Sequence, residues 1–575
     1  MVPKYTEAAY QALVQDIFHR FPSVQKEGFS AGAYKPGLER MQAFEAALGH
    51  PSRLFRSIHI AGTNGKGSVA NMLASALSAC GLRTGLFTSP HLIDFRERIV
   101  TSEGNTPEGA NGMGWQNLPG IGHQLSLADS ACPSHNLIPK EYVFAFLTEW
   151  MPWIEEHKLS FFEITTGLAF KWFAHQKVDV AVIETGLGGR LDSTNILEKP
   201  DMTVVTTIGF DHMALLGDTL PKIAAEKAGI FKPGVPALVG EWQEETAPVF
   251  EAAAPGRLTF ADRVEPRLWD RRAEVLRKMD LQAAVQEKNL RTVLAAIDVL
   301  RPDYPALAND EALLQGIIHT ARNMGFHGRW ERLQEHPTVI ADIGHNAHAL
   351  RHNFAQLEAR LRSGQNDALI IVYGIMADKD LDAILPLMPR SATYLFTTPD
   401  TPRALPAEQI LRRYESARNT LPGACPPPDE YRGRGPSAQP MGGAGVTEMP
   451  GQAGHDGTES PGSVFLVDSV AGQDTECRGS AFLDRTATQM ADIDDMPSQV
   501  TEKMQTCNAT SADLRRKHLD LRPTTVPGRP QACATPSVAE AVKKALEMAT
   551  PDTLIYIGGS TFVVAEALPL FGASA

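Results

Sequence analysis

The sequence predicts an α/β protein in which buried parallel strands alternate with helices. Two observations support this prediction: short apolar runs rich in β-branched residues, and helical spacing of apolar residues between those runs. The runs are residues 57–62, 84–88, 178–184 and 202–208, and the helical patterns are residues 68–80, 140–156 and 162–175. Because strands that are apolar throughout are covered on both faces, this alternation is typical of a doubly wound α/β domain.

A second series of the same kind begins near residue 327. Its strand-like runs are residues 338–343, 368–374, 393–398 and 553–557, and its helical patterns are residues 347–363, 378–388, 406–418 and 537–549. This series predicts a second, smaller α/β unit. We therefore expect one domain over residues 1–325 and another over residues 326–575.

Two segments, residues 104–136 and 420–535, fit neither domain. Both are rich in glycine, proline and small polar residues, and both have weak periodicity. Such segments cannot bury enough apolar surface to offset chain entropy, so we interpret both as insertions. Residues 464–470 are an apolar run in the second insertion, where they suggest an added edge strand.

The composition argues against several classes of protein, including nucleic-acid-binding, membrane and disulfide-rich proteins. The chain has 575 residues and a net charge of −13, which gives nucleic-acid binding no electrostatic support. The N-terminal residues lack the features of a signal peptide, and no apolar stretch approaches the roughly 20 residues of a membrane span. We therefore expect a cytoplasmic protein with no membrane partner. The six cysteines include no CxxC pair, which argues against a zinc site or a disulfide framework.

Residues 62–68, GTNGKGS, form a glycine-rich loop between a predicted strand and a predicted helix. Glycines let a backbone wrap closely around phosphate oxygens, and the N–H groups at a helix N-terminus favour a bound anion. Lys66 is placed to neutralise the outer phosphates, and Ser68 is placed to reach a magnesium ion. The spacing departs from the usual phosphate loop, because a glycine separates the lysine from the hydroxyl residue. The strand, loop and helix together still predict a nucleotide phosphate site.

This loop resembles the ATP loop of the Mur ligase superfamily, and further segments are similar to the folylpolyglutamate and dihydrofolate synthases within it. These segments are residues 88–92, 97–99, 161–163, 184–195, 211–213, 226–230, 328–329, 342, 345–346 and 558–560. Outside the two insertions, the resemblance covers nearly the whole chain. It implies a P-loop Mur-ligase-type central ATP-binding domain and a smaller Rossmann-like α/β C-terminal domain.

The resemblance implies an ATP-dependent ligase that joins L-glutamate to a folate or dihydropteroate carboxylate. ATP would phosphorylate the carboxylate, and the amine of glutamate would then displace phosphate from the acyl phosphate. Positioning and electrostatics carry most of such catalysis. The implied cofactors are ATP and Mg²⁺, the latter at two sites, and the family's common state is a monomer.

The resemblance also assigns individual residues. Its catalytic residues are Lys66, Lys227, Arg329 and His345. Its ATP contacts are Gly62, Thr63, Asn64, Gly65, Lys66, Gly67, Ser68, Asn289, Arg329, Asp342 and His345. Its metal ligands are Ser68, Ser89, Glu163, His212 and a carbamylated Lys227. Its folate-side residues are Leu38, Glu39, Arg40, Pro90, His91 and Arg98.

Some of these residues have a simpler interpretation when the resemblance is set aside. Glu163 is typical of an acid that stabilises a helix N-terminus. Lys227 is typical of a surface lysine or of an ion pair with Glu226, and Asn289 of a helix-surface amide. Since only a neutral amine reacts with carbon dioxide, a carbamylated Lys227 would need its pKa lowered by burial or by nearby positive charge.

Two other functions stay open. A cell-wall Mur ligase would carry a large N-terminal domain, and the ATP loop at Gly62 starts too early for one; residues 34–41 are instead similar to the N-terminal loop of the folate enzymes. A nucleotide-binding scaffold that has lost catalysis is the second alternative. If the chain is a folate ligase, as the resemblance implies, the sequence does not distinguish dihydrofolate synthase activity from folylpolyglutamate synthase activity.

Overall fold

The computed structural model describes residues 4–21, 37–103, 136–420 and 532–572. These residues belong to one compact unit, which comprises Met1–Cys425 and Gly528–Ala575. Most of the two expected insertions, with the run at 464–470, and residues 34–36 lie outside the described residues. Within the described ranges, no helix has both the length and the apolar character that crossing a membrane requires.

The described residues form two sheets with helices around them. The strands are β1 Arg56–Ala61, β2 Thr84–Phe87, β3 Ile99–Ser102, β4 Asn136–Leu137, β5 Val180–Glu184, β6 Met202–Val205, β7 Ala237–Val239, β8 Leu258–Phe260, β9 Glu331–Gln334, β10 Thr338–Asp342, β11 Ala368–Tyr373, β12 Thr393–Thr397, β13 Ala532–Thr535 and β14 Thr553–Gly558. The helices are α1 Glu7–Arg20, α2 Glu39–Ala47, α3 Lys66–Ala79, α4 Lys140–Glu156, α5 Phe161–Gln176, α6 Met213–Leu216, α7 Leu220–Ala228, α8 Ala247–Ala253, α9 Arg272–Lys278, α10 Gln286–Leu300, α11 Asp310–Ile318, α12 Thr320–Met324, α13 Ala347–Arg362, α14 Leu381–Ile384, α15 Ala407–Thr420, α16 Val538–Met548 and α17 Thr561–Ala567.

The first sheet has eight strands in the order β4-β3-β2-β5-β1-β6-β7-β8. β3 is antiparallel to β2 and to β4, and the other neighbours are parallel. Along β5, Val180 and Val182 pack in a cluster with α3, whereas Ala181 and Ile183 pack in a cluster with α5. Both faces of the sheet are therefore covered by helices, and the predicted doubly wound α/β fold is confirmed.

The second sheet has six strands in the order β13-β12-β11-β14-β10-β9, and only β9 is antiparallel to its neighbour. Leu369 and Ile371 of β11 face one cluster, and Ile370 and Val372 face another, so this sheet is also buried on both sides. We call the described residues up to 325 the first lobe and those from 326 the second lobe.

Some details differ from the sequence analysis. Residues 532–535, which we assigned to the second insertion, form the edge strand β13 beside β12. The predicted helix over 378–388 is α-helical only over Leu381–Ile384 and continues as a 3-10 turn over Leu385–Leu387. Pro386 explains the change, because it lacks the N–H that an α-helix needs there. Five further strands of four residues or fewer were not predicted: β3, β4, β7, β8 and β9.

Candidate functional site

The glycine-rich loop joins β1 to α3 and is held by the residues that follow β6. Thr63 N donates a hydrogen bond to Thr207 O at 2.7 Å, and Thr206 Oγ1 donates one to Asn64 O at 2.6 Å. Gly62 has no room for a side chain, because a Cβ there would lie 1.9 Å from Thr206 Oγ1. The loop backbone therefore passes close to its neighbours and leads directly into a helix N-terminus, where phosphate oxygens are favoured.

Gly65 and Asn289 lie against each other at the end of this loop. Gly65 caps α3 with a left-handed φ of +86°, and a Cβ there would lie 2.5 Å from Asn289 Oδ1. Asn289, on α10, is buried, and its Nδ2 donates to Gln286 Oε1 at 2.8 Å. An exposed helix amide, the simpler interpretation, is excluded, and the amide lies beside the loop.

Lys66 and Glu184 bring opposite charges to the loop. Lys66 Nζ donates to the carbonyls of Gly62 at 3.2 Å and Thr63 at 3.4 Å. Glu184 ends β5, the strand beside β1, and its Oε2 accepts the N–H of Ser89 at 3.2 Å. Burial raises the pKa of Glu184, and the positive charge of Lys66 opposes that rise. An acid on the strand next to the phosphate loop is the group that holds magnesium in other phosphate-loop proteins.

The structure does not place Glu163 as a metal ligand of this site. Glu163 lies in the first turn of α5, where its Oε2 accepts the Ser160 N–H at 2.7 Å and its own N–H donates to Ser160 Oγ at 3.2 Å. This reciprocal pair is a capping box. Arg40 Nε lies 3.2 Å from the other carboxylate oxygen. The simpler interpretation, an acid at a helix N-terminus, is therefore the one that the structure has.

Lys227 is buried at the loop rather than exposed. It lies on α7, is 4% exposed, and its Nζ donates to Gly62 O at 2.8 Å. Burial, with the charge of Lys66 added, lowers the pKa of Lys227 to about 7. Glu226 pairs with Arg190, so the ion pair between adjacent residues that the simpler interpretation expects is not formed. Near pH 7, Lys227 is therefore a neutral amine in a substantial fraction of molecules, and the neutral amine is the form that reacts with carbon dioxide.

Asp211 and His212 follow β6 and face the second lobe. Burial lowers the pKa of His212 to about 4; Asp211 opposes this shift and Lys379 adds to it. The imidazole is therefore neutral at physiological pH, as a metal ligand must be. Burial disfavours the charged form of Asp211, but the adjacent side chains of His345, His212 and Lys379 hold its pKa well below the usual value.

Asp342 and His345, two of the predicted ATP contacts, form hydrogen bonds with the backbone of the second lobe. Asp342 Oδ2 accepts the N–H of Trp330 at 2.9 Å, and its Oδ1 accepts the N–H of Gly344 at 2.8 Å. The carboxylate is buried, and burial raises its pKa. His345 Nδ1 donates to Ile343 O at 3.1 Å, which leaves its Nε2 directed toward the first lobe. Asp342 therefore shapes the loop that carries His345.

Arg329 lies behind the phosphate loop. Its guanidinium is 4.8 Å from the centre of the Phe326 ring, and its Nη2 would be 3.5 Å from a Cβ at Gly67. With Ser89 and Glu184 it lines a recess of about 30 Å³. Burial lowers the pKa of Arg329, and Asp342 and Glu184 oppose that shift. The second lobe thus delivers a cation to the first turn of α3.

A larger cavity of about 270 Å³ has walls from both lobes. The predicted residues that line it are Gly62, Thr63, Lys66, Ser89, Pro90, Arg98, His212, Lys227 and His345. The predicted residues that do not line it are Leu38, Glu39, Arg40, Asn64, Gly65, Gly67, Ser68, His91, Glu163, Asn289, Arg329 and Asp342. Charged side chains that the sequence analysis did not assign also line it: Asp192, Asp211, Lys379 and Arg403.

One end of the cavity combines a cation with aromatic rings. Arg98 is 3% exposed, its Nε donates to His91 Nδ1 at 2.8 Å, and its guanidinium lies 5.3 Å from the centre of the Phe161 ring. Burial lowers the pKa of Arg98 to about 10, so the side chain stays charged at neutral pH. A buried cation beside an aromatic surface suits a flat ligand that carries negative charge.

Functional residues whose contacts span long sequence separations were not predicted. Glu184 lies in residues 184–195, which resemble the family, but had no predicted role; its place at the carboxyl end of β5 is the signal that could have identified it. Asp211 and Lys379 form an ion pair across the lobes at 2.8 Å, and they are too far apart in sequence for any local pattern to relate them.

Comparisons with known proteins agree with this geometry. A family model described as Mur ligase, glutamate ligase domain matches residues 328–426. The dihydrofolate synthase/folylpolyglutamate synthase of Bacillus subtilis (strain 168) is 32% identical over 400 residues, which is 65% of this chain and 84% of that protein. Mycobacterium tuberculosis folylpolyglutamate synthase complexed with ADP has a TM-score of 0.63 at 21% identity, over 99% of each chain. A bifunctional folylpolyglutamate synthase/dihydrofolate synthase from Yersinia pestis, complexed with AMPPNP and a Mn ion, has a TM-score of 0.61 at 20% identity, over 99% of this chain and 100% of that one.

A phosphate loop on one α/β lobe that faces a second lobe of the glutamate ligase type defines a Mur-type ligase. The two structural matches, at low identity, support that fold. The sequence match to the Bacillus subtilis enzyme goes further. The chain belongs to the dihydrofolate synthase/folylpolyglutamate synthase family, and it is an ATP-dependent ligase.

Proposed function

We propose that this chain joins L-glutamate to the carboxylate of a folate and also of dihydropteroate, through an acyl phosphate formed with ATP, in the cavity between the lobes. The observation that carries the proposal is the shared cavity: Lys66 of the phosphate loop, Arg98 at the aromatic end and His345 of the second lobe all line it. Two reactants that both carry negative charge need cationic side chains, such as those of Lys66 and Arg98, in the same cavity.

A divalent cation fits the donors beside the phosphate loop. Among the described residues, no three His, Cys, Asp or Glu side chains form a group that could hold a metal by itself. Magnesium binds through one or two carboxylates and completes its shell with phosphate oxygens and waters. We propose Ser68, Ser89 and Glu184 as the residues for the nucleotide-bound ion, with Glu184 in place of Glu163. Bound there, the ion would neutralise charge on the transferring phosphoryl group.

We propose His212 and a carbamylated Lys227 for a second ion. In carbamylation, the Lys227 ammonium first loses a proton, and the neutral nitrogen then forms a bond to the carbon of carbon dioxide and loses a second proton to solvent, so a cation becomes an anion. Burial of Lys227 and its pKa of about 7 support this reaction. Enzyme incubated with ¹³C-bicarbonate and magnesium should give a carbamate carbon signal that Lys227→Met lacks. An unmodified ammonium at Lys227 in a crystal grown with magnesium would contradict the assignment.

The remaining roles follow from position. Lys66 would neutralise the outer phosphates, Arg329 would approach them from the second lobe, and Asn289 would contact the nucleotide beside Gly65. Because an acyl phosphate hydrolyses readily, closure of the two lobes around the cavity would exclude water and complete the site. The domain boundary at residue 325, the monomeric state and the cytoplasmic location stay predictions.

A substrate panel tests the proposal. Purified enzyme with ATP, magnesium and glutamate is given dihydropteroate, tetrahydrofolate or a one-carbon derivative of tetrahydrofolate, and ADP release and the extended product are measured. We expect product from dihydropteroate and from the tetrahydrofolates. Product with a sugar-linked peptide instead would identify a cell-wall ligase, and nucleotide binding without any product would identify a silent scaffold.

A further inference from the structure

Asp211 is a largely buried carboxylate that links the two lobes at the cavity. It follows β6 in the first lobe, where its Oδ1 accepts the N–H of His212 at 2.9 Å, and three further partners come from the second lobe. Lys379 Nζ donates to Oδ1 at 2.8 Å, Asn346 Nδ2 donates to Oδ2 at 3.3 Å, and His345 Nε2 lies 3.7 Å from Oδ2. The side chains of Asp211 and Lys379 are only 12% and 11% exposed. One carboxylate therefore contacts two loops of the second lobe, those that carry His345 and Lys379.

The loop that carries Lys379 is held rigidly by its own contacts. Met376 pairs with Ala404 in an isolated β-bridge, and Arg403 Nη2 donates to Asp378 Oδ1 at 2.6 Å. Asp380 ends the loop by accepting the Ala383 N–H at 3.0 Å at the start of α14. These contacts stabilise the backbone that presents Lys379.

The position of Lys379 differs from that of an ordinary stabilising ion pair. It lines the cavity with Lys66, His212 and Lys227. Removing two charges from water costs about as much free energy as their attraction returns, so a pair this buried is a weak source of stability. A functional reason for placing a second-lobe ammonium in this cavity is therefore needed.

We propose that Lys379 is a further catalytic residue, whose ammonium contacts the anionic oxygens of the acyl phosphate, and that Asp211 is the positioning residue that holds it. This inference rests on the proposed function. In the first step, a carboxylate oxygen bonds to the γ-phosphorus and the bond to ADP breaks. In the second, the glutamate nitrogen bonds to the acyl carbon, phosphate leaves with the electron pair, and the nitrogen loses a proton to solvent. In both steps Lys379 keeps its proton and donates a hydrogen bond to a phosphoryl oxygen, where negative charge is concentrated.

The test compares Lys379→Met, Asp211→Asn and the double variant with the wild type. For each, kcat, the KM of every substrate and the thermal midpoint are measured. We expect Lys379→Met to lower kcat at least about 100-fold while the KM for ATP changes less than about threefold, because the lost contact forms with the reacting group. Asp211→Asn should lower kcat and the thermal midpoint, since it leaves Lys379 buried beside a neutral amide.

The double variant separates a catalytic role from a structural one. Removing both charges should restore the thermal midpoint lost in Asp211→Asn but should leave kcat low. A kcat that returns together with the midpoint, or a Lys379→Met variant with kcat within threefold of wild type, would overturn the proposal. Asp310→Asn is the control, because Asp310 pairs with Arg301 at 2.8 Å outside the cavity lining and should change stability alone. The wild type must ligate a folate in the same assay; its failure would contradict the proposed function instead.

Discussion

His59 makes the first lobe sensitive to acid, and this sensitivity can be worked out from its surroundings. His59 lies in β1 with no exposed surface, and its Nε2 is 2.8 Å from Thr194 Oγ1. Thr194 Oγ1 donates its own hydrogen to Asp192 Oδ1 at 2.5 Å, so it accepts from His59 Nε2. Asp192 in turn lines the cavity. A neutral imidazole in the core thus supports a carboxylate of the candidate site.

The direction of the pH dependence of stability follows from the difference between the pKa of His59 in the folded and in the unfolded chain. Burial lowers the pKa of His59 from 6.5 to about 3. Between those values the unfolded chain binds a proton that the folded chain does not, so this contribution to stability is present above pH 6.5 and is lost as the pH falls below it. From pH 7 to pH 5, the free energy of unfolding should drop by roughly 2 kcal/mol through this group alone. This drop in the free energy of unfolding is insensitive to the exact pKa of folded His59, because pH 5 is well above a pKa of about 3.

The assay is urea unfolding at pH 7 and pH 5 for the wild type, His59→Gln and His19→Gln. Glutamine keeps a donor for Thr194 but does not titrate, so His59→Gln should lose less stability between the two pH values than the wild type, by about 2 kcal/mol. His19 is exposed on α1 and controls for the loss of an imidazole elsewhere. An equal loss in the wild type and His59→Gln would refute the reasoning.

Other variants test the site directly. Gly65→Ala should weaken ADP binding at least about tenfold in calorimetric titration, because the left-handed backbone costs roughly 1–2 kcal/mol and the new Cβ displaces Asn289. Glu184→Gln should lower kcat at least about 100-fold, whereas Glu163→Gln should lower the thermal midpoint through its helix cap and leave kcat within about threefold; the reverse pattern would restore Glu163 as the metal ligand. Arg329→Ala should lower kcat about 100-fold or more while the thermal midpoint changes little, and near-normal turnover would show that Arg329 makes no phosphate contact that matters for catalysis.

Long apolar strands and phosphate chemistry could be predicted from the sequence because both are local. β5 and β11 are buried on both faces, so residues 180–183 and 368–373 each appear as an uninterrupted apolar run. Strands such as β7 and β8 have three residues each and are defined by pairing rather than composition, which is why the pattern missed them.

The site was predicted less completely, for a different physical reason. Two acids, Glu163 and Glu184, stood in segments that resemble the family, and only the register of β5 against β1 shows which one reaches the phosphate loop. The role of Lys227 depends on burial, which the sequence of a nine-residue helix does not reveal. Contacts between lobes, such as Asp211 with Lys379, form only when distant segments fold together.

The cavity wall has a consequence for how substrates arrive. Its cationic side chains, Lys66, Arg98, Lys379 and Arg403, lie inside a protein whose net charge is −13. An approaching polyanion is repelled by the molecule at long range and attracted at the cavity mouth. Salt screens charges beyond about 8 Å at physiological ionic strength, so it weakens the distant repulsion before the nearby attraction. Association of a multiply charged folate should therefore be fastest at intermediate ionic strength and slower in either dilute buffer or concentrated salt.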